Sequence, residues 1–163
     1  KIKKNLKKIK IENLHKKNLK NCIYIPDSYN KFRRFGYFRS IDDYQYIDLQ
    51  KKIINSKKNI YFKLHPKQRF NYKIFKAKKY IRGYLNFKKI YKVYIFDSIS
   101  QSFFEVAKTN LKILYLHIPI RKLNNKILSL IKKRALVKNI DPKQIKKDEI
   151  SSKKTVKKEG NTT

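Results

Sequence analysis

The sequence predicts an α/β domain with an open, doubly wound parallel sheet. Short apolar segments alternate with amphipathic segments along the chain, and the apolar segments contain few charged residues. Near-continuous apolar strands are typical of parallel sheets that are covered by helices on both faces. The domain is expected to span residues 21–140, with a basic amphipathic helix or linker over residues 1–20 and a flexible, disordered tail over residues 141–163.

Six segments have the length and the apolar character of strands. Pro26 and Pro66 end the first two, because proline cannot donate a backbone hydrogen bond to a neighbouring strand. Gly83 provides a turn after the short third segment. In chain order, the predicted strands cover residues 21–26, 59–66, 80–82, 92–97, 112–117 and 134–138.

Apolar residues recur at helical spacing between these strands. Clear helices are predicted over residues 44–57, 102–110 and 121–133, a weaker one over residues 67–80, and a short one after Gly83. Ser102 and Glu105 match a capping box, in which the serine caps the helix and the glutamate bonds back to the serine N–H. On that interpretation both residues are explained without a ligand.

The formal net charge of +33 first suggests a nucleic-acid partner. However, the basic residues are 37 Lys and 7 Arg, whereas proteins that read phosphate and guanine are usually rich in Arg. Residues with A/T-rich codons (Lys, Asn, Ile, Phe and Tyr) also far outnumber those with G/C-rich codons. The lysine excess therefore fits either compositional drift on a solvated surface or a charge that binds a polyanion.

Other features of the composition limit the classes of protein to which the chain can belong. The single cysteine, Cys22, precludes an intrachain disulfide, and scattered histidines with few carboxylates argue against a metal site. No apolar run approaches the ~20 residues of a membrane span. The chain has no Met and begins with Lys, so we expect an N-terminal part to be missing. The basic segment 1–20 either packs on the domain or contacts an anionic membrane surface.

The two acidic residues found between positions 50 and 140 are Asp97 and Glu105, and three serines lie between them. This segment follows a predicted strand and precedes a predicted helix. Ligands of open α/β sheets bind beyond the carboxyl ends of the strands, and backbone N–H groups at the start of a helix attract phosphate. We therefore predict that Ser98, Ser100 and Ser102 contact an anionic ligand such as a nucleotide diphosphate.

A second polar motif, Lys63-Leu64-His65-Pro66, also ends a predicted strand. If that strand neighbours the one before Asp97, His65 and the serine segment face the same crevice. His65 could then donate to a phosphate oxygen, with Lys63 or Lys67 adding positive charge. A lone histidine at the end of a strand is the simpler interpretation of His65, but the two motifs together favour an anion site.

The order of these motifs resembles the donor-binding half of glycosyltransferases with the two-domain GT-B architecture, in particular bacterial capsule and lipopolysaccharide transferases. The likeness covers residues 22–140 and is carried by the His-Pro motif and the segment IRGYLNFKKIYKVYIFDSISQSFFEVAKTNLKILYL. CIYIP, the FRRFG loop, Tyr46 with Gln50, and LIKKRALV are also similar. The resemblance implies a Rossmann-like fold, the C-terminal half of a GT-B pair, and a nucleotide-sugar donor with no other cofactor.

The resemblance also implies a set of site residues. His65 is similar to the phosphate-binding histidine of bacterial sialyl- and polysialyltransferases, and Glu105 would hold a ribose or sugar hydroxyl. Gln101 departs from the family pattern, where Ser or Thr is more common. Asp97 is expected to structure the loop by accepting backbone N–H bonds. The predicted donor-binding residues are His65, Lys63, Ser98, Ser100, Gln101, Ser102, Glu105 and Arg34.

The implied function is donor binding within a glycosyltransferase of bacterial surface-polysaccharide biosynthesis, with a carbohydrate or lipid-linked acceptor. GT-B enzymes usually take their general base from the N-terminal domain, so catalytic residues stay unassigned and the chain is expected to be inactive alone. A cytoplasmic location, with peripheral contact at the inner face of the membrane, fits this function. Two alternatives stay open: a basic nucleic-acid-binding protein, although no RNA- or DNA-binding signature is found, and an interaction domain without a ligand.

Overall fold

The computed structural model describes residues 22–29, 42–56, 59–65, 74–85, 91–118 and 123–141. Six strands and three α-helices lie in these segments. In chain order they are β1 (Ile23–Ile25), α1 (Asp43–Asn55), β2 (Tyr61–Lys63), β3 (Lys79–Ile81), β4 (Tyr94–Phe96), α2 (Gln101–Ala107), β5 (Ile113–His117), α3 (Asn125–Lys132) and β6 (Leu136–Asn139).

All six strands belong to one parallel sheet with the order β3-β2-β1-β4-β5-β6. The predicted parallel α/β fold is therefore confirmed for the described residues. From the central strand β1 the chain first adds β2 and β3 on one side, and then returns to add β4, β5 and β6 on the other. The direction of growth thus reverses between β1 and β4. Open α/β sheets leave a ligand-binding crevice beyond the strand ends at such a reversal.

Helices cover both faces of the sheet. Successive residues of a strand point to opposite faces, and the two sets of side chains build two apolar clusters. Tyr46 and Leu49 of α1 pack into one cluster, so we call that side the α1 face. Phe103 and Val106 of α2 and Ile131 of α3 pack into the other, on what we call the α2 face.

Arg134, which follows α3, holds the C-terminal end of α2. Its Nε donates to the carbonyl of Ala107 at 2.8 Å, and its Nη2 donates to the carbonyls of Val106 at 3.2 Å and Leu111 at 2.9 Å. Nη2 also donates to the carbonyl of Thr109. The last carbonyls of a helix have no partner within the helix, so Arg134 helps to satisfy them and joins the C-terminal end of α2 to the turn after α3.

The structure corrects some predicted elements. The weak helix over residues 67–80 is wrong in its described part, since residues 74–78 are not α-helical and β3 begins at Lys79. Gly83 has a φ of 78°, a value that a turn glycine adopts without strain. None of the described helices is both long and apolar enough to cross a lipid bilayer.

Four predictions concern residues outside the described segments. They are the basic helix over residues 1–20, the loop that contains Arg34, most of the short helix after Gly83, and the tail from residue 142 onward.

Candidate functional site

The six parallel strands all end at the same edge of the sheet, which we call the carboxyl edge. The chain continues there from β2 through Leu64 into His65, and from β4 into Asp97 and Ser98. His117 is the last residue of β5. Both polar motifs of the sequence therefore lie at the carboxyl edge, close to the reversal between β1 and β4.

Asp97 is a buried carboxylate, 2% exposed, that joins three parts of the carboxyl edge. Its Oδ2 accepts hydrogen bonds of 2.6 Å from the hydroxyls of Tyr24 on β1 and Tyr46 on α1. Its Oδ1 accepts a 3.0 Å bond from the N–H of Asp27, and that N–H also donates to the Tyr46 hydroxyl at 2.8 Å. The loop that Asp97 holds through this backbone N–H is the one that follows β1.

The two tyrosines that bind Asp97 also show to which face of the sheet its carboxylate is directed. Burial raises the pKa of Tyr24 well above its usual value, and the negative charge of Asp97 raises it further. The Tyr24 hydroxyl therefore stays protonated and serves as a donor to the carboxylate. Tyr24 and Tyr46 belong to the cluster of the α1 face, so Asp97 is directed to that face and away from α2.

Ser100, and not Ser102, caps helix α2. The Ser100 Oγ accepts the N–H of Phe103 at 3.3 Å, and α2 begins at Gln101. Glu105 does not bond back to Ser102; its Oε1 instead accepts a 3.5 Å bond from Gln101 Nε2, one turn earlier. The predicted capping box is therefore wrong, because the helix starts one residue before Ser102. The carboxylate of Glu105 therefore takes no part in the cap of α2.

Lys63, the last residue of β2, is only 6% exposed. Its ammonium group forms no hydrogen bond and no ion pair with any described residue. Burial lowers the pKa of Lys63, and the negative charge of Glu105 opposes this shift. Tyr61 packs against the cluster of the α2 face, so the alternation of strand residues directs Lys63 to that face as well. The Lys63 residue is largely buried and its ammonium group has no opposite charge within ion-pair distance among the described residues, which makes Lys63 a natural anion-binding group.

His65 and the serine segment do not follow neighbouring strands. β1 lies between β2 and β4, so the strands that lead to His65 and Ser98 are two spacings apart, about 10 Å. The condition under which both motifs would face one narrow crevice is therefore not met. A single ligand can contact both only if it extends across the end of β1. By the same alternation His65, which is half-buried, follows Lys63 on the α2 face.

Two further polar atoms lie at the ends of β4 and β5. Ser98 Oγ and His117 Nε2 are shielded from solvent and have no hydrogen-bond partner among the described residues. The other ring nitrogen of His117, Nδ1, is 3.0 Å from Oδ1 of Asn139, the last residue of β6. Sequence reasoning did not select His117. Its position at the end of an apolar strand, as for His65, was the signal that could have identified it.

The remaining predicted residues divide between the surface and the undescribed part of the chain. Gln101 is exposed at the start of α2, and Ser102 is half-buried in its first turn. Arg34 lies outside the described residues. The structure thus brings Lys63, His65 and Ser98 to one edge, with Glu105 close enough to Lys63 to influence its charge.

No protein-family model matches this chain, and no curated protein or solved structure matches it either. The chemistry of the carboxyl edge therefore carries any functional assignment. That edge combines a buried ammonium group, a carboxylate on α2, serine hydroxyls and two imidazoles. Such a set is suited to bind an anion that also bears hydroxyl groups.

Proposed function

We propose that this chain is the donor-binding half of a glycosyltransferase, and that it binds the phosphate groups of a nucleotide sugar at the carboxyl edge. The observation that carries the proposal is Lys63, a cation that is 6% exposed and has no anionic partner within 4.0 Å among the described residues. Phosphate oxygens would supply the missing negative charge, because charge-assisted hydrogen bonds to a buried ammonium group are strong.

The order of the strands supports the same assignment. The strand order β3-β2-β1-β4-β5-β6 is that of Rossmann-like nucleotide-binding sheets, whose ligands lie across the reversal point. Lys63 stands on one side of that point and Ser98 on the other. A nucleotide is an extended ligand that can reach from one side to the other. The C-terminal half of a GT-B pair has to bind a ligand of this extended shape.

The orientation of the two acidic residues is also compatible with a bound phosphate. A carboxylate beside a phosphate would repel it. Asp97 avoids this conflict because it is directed to the α1 face, where hydrogen bonds from Tyr24, Tyr46 and the N–H of Asp27 stabilise its charge. Glu105 lies on the α2 side, where it limits the cost of the buried Lys63 charge and is available to a ribose or sugar hydroxyl.

The proposed chain binds a donor but does not transfer the sugar by itself. In the GT-B architecture the general base comes from the partner domain. The acceptor is proposed to be a surface carbohydrate or its lipid-linked precursor. The basic N-terminal segment would then keep the enzyme near an anionic membrane.

The proposal is tested by calorimetric titration of the full chain with CMP-, UDP- and GDP-sugars. Replacement of Lys63 by Met keeps the side-chain length and removes the charge, so Lys63→Met should weaken the best ligand about tenfold or more. Lys112→Met removes an equal charge at an exposed position before β5, at the opposite edge, and should leave the affinity unchanged.

Two results would contradict the proposal. The first is the absence of binding by all three classes of nucleotide sugar. The second is a folded Lys63→Met chain that binds as tightly as the wild type. Saturable binding of a short RNA at physiological salt, unaffected by Lys63→Met, would instead favour the nucleic-acid alternative.

A further inference from the structure

Two solvent-shielded polar atoms at the ends of β4 and β5 have no partner among the described residues: Ser98 Oγ and His117 Nε2. A buried donor or acceptor that makes no hydrogen bond costs free energy, so such atoms are few in folded proteins. A third such atom, Gln50 Nε2, belongs to a side chain whose Oε1 already accepts the Tyr29 hydroxyl. Ser98 and His117 are the pair that lies at the carboxyl edge.

The strands that lead to these two residues are neighbours in the sheet. β4 and β5 are adjacent and parallel, and Phe96, the last residue of β4, is paired with Tyr115. His117 ends β5 two residues beyond that pair, and Ser98 lies in the bend two residues beyond the end of β4, so both are at the carboxyl ends of strands about 4.8 Å apart. Phe96 and Tyr115 both pack into the cluster of the α2 face. Alternation of side chains places His117 on that face too, and Ile99, the residue after Ser98, packs against the same cluster.

The contact with Asn139 determines what His117 can bind. Asn139 Oδ1 can only accept, so the 3.0 Å contact calls for a hydrogen on Nδ1, and the tautomer with its hydrogen there has a lone pair on Nε2. Nε2 is then a hydrogen-bond acceptor, while the Ser98 hydroxyl can donate. A hydroxyl can donate to one of these atoms and accept from the other at the same time. Both residues as wholes are half-buried, so they lie close to the surface of the carboxyl edge.

We propose that Ser98 and His117 bind a ribose hydroxyl of the nucleotide, and that Asn139 is a positioning residue that fixes the imidazole. This inference rests on the proposed nucleotide-binding function and adds the part of the ligand that lies over β4 and β5. Lys63 is on the other side of β1. The phosphates would therefore lie over β2 and β1, and the ribose would lie beyond the reversal point, over the ends of β4 and β5.

The test compares each ribonucleotide with its 2′-deoxy and 3′-deoxy forms, with the full chain and with CMP, UDP and GDP as probes. The wild type should bind the ribonucleotide about tenfold more tightly than the form that lacks the recognised hydroxyl. Ser98→Ala and His117→Ala should reduce this ratio to within about twofold. Asn139→Ala should also reduce it, whereas Asn139→Asp, which keeps an acceptor oxygen for Nδ1–H, should restore it.

The outcomes separate this inference from the proposed function. If the wild type binds ribonucleotides and both deoxy forms equally, or if the ratio is unchanged in Ser98→Ala and Asn139→Ala, the ribose assignment is overturned while phosphate binding stands. Lys63→Met should weaken the ribo and deoxy forms equally and leave the ratio intact. If no nucleotide binds to the wild type, both proposals are overturned. Should His117→Ala not fold, the ratio in Ser98→Ala and in the two Asn139 variants decides.

Discussion

The hydroxyl of Tyr46 donates a 2.6 Å hydrogen bond to the buried carboxylate of Asp97, and this contact joins helix α1 to the end of strand β4. The same carboxylate accepts from Tyr24 and from the N–H of Asp27, so the central strands, α1 and the loop after β1 meet at one charged group. Hydrogen bonds to a charged group are worth more than neutral ones, and the loss of the group leaves its donors unsatisfied.

Replacement of Asp97 by Asn should therefore lower the free energy of unfolding by about 2–3 kcal/mol. The amide is uncharged and offers one acceptor oxygen to three donors. Chemical denaturation, followed by far-UV circular dichroism, measures the change. Asp48→Asn is the matched control, because Asp48 is an exposed partner of Lys52 in a surface ion pair at 3.0 Å. That variant should change the free energy of unfolding by less than about 0.5 kcal/mol, and equal effects of the two variants would argue against the central role of Asp97.

The charge of Lys63 should destabilise the folded chain when no ligand is bound. Replacement by Met removes a buried cation without opening a cavity, so Lys63→Met should raise the free energy of unfolding by about 1 kcal/mol in the absence of ligand. A lysine that stabilises the fold by packing or by an ion pair would behave in the opposite way, since its replacement would lower the free energy of unfolding. Thermal and chemical denaturation of the two proteins at neutral pH measure the difference.

The pH dependence of that difference has a defined sign. The pKa of Lys63 in the folded chain is lowered from its usual value of 10.5, so between the two pKa values the unfolded chain binds more protons. Wild-type stability then gains a contribution as the pH rises through this window, because the cost of the buried charge disappears. The advantage of Lys63→Met should therefore be largest at neutral and acidic pH and should shrink toward pH 10.5. An advantage that grows with pH would show that Lys63 is stabilised by its charge.

The cap of α2 can be assigned by comparison of two serines. Ser100→Ala removes the acceptor for the N–H of Phe103 and should lower the free energy of unfolding by about 1 kcal/mol. Ser102→Ala, within the first turn, should change it by a few tenths of a kcal/mol at most, since alanine is a good helix former. Denaturation of both variants is the measurement. The reverse order of effects would restore the capping box that the sequence predicted.

Arg134 should not tolerate lysine. Its planar guanidinium reaches four carbonyls at the end of α2, and an ammonium group cannot reproduce that geometry. Arg134→Lys should lower the free energy of unfolding by about 2 kcal/mol, whereas Lys133→Met, at the exposed neighbouring position, should be nearly neutral. Because α2 carries Glu105, a shift of α2 should also weaken nucleotide-sugar binding in the proposed site. If Arg134→Lys is as stable as the wild type, the carbonyl contacts do not hold α2.

The sequence by itself determined the class of fold. Apolar segments such as that around Tyr94–Phe96 have no polar face, and such a strand is stable only between two layers of helices in a parallel sheet. It also determined that His65, Asp97 and the serines would follow strands, since strand ends are marked by proline and by polar residues. These features depend on residues that are close together in the chain, so the spacing of apolar and polar residues is sufficient to predict them.

Only the tertiary structure decided which residues meet. Strand order depends on crossover connections, which leave no local signal, and so the sequence could not show that β1 separates β2 from β4. The direction of Asp97 toward Tyr24 and Tyr46, and the burial of Lys63 without an anion, depend on packing between segments far apart in the chain. Both Ser100 and Ser102 could cap α2, and the geometry of the turn after β4 selects Ser100. His117 and Asn139 became a pair through the register of β5 and β6, a long-range relationship that no spacing in the sequence encodes.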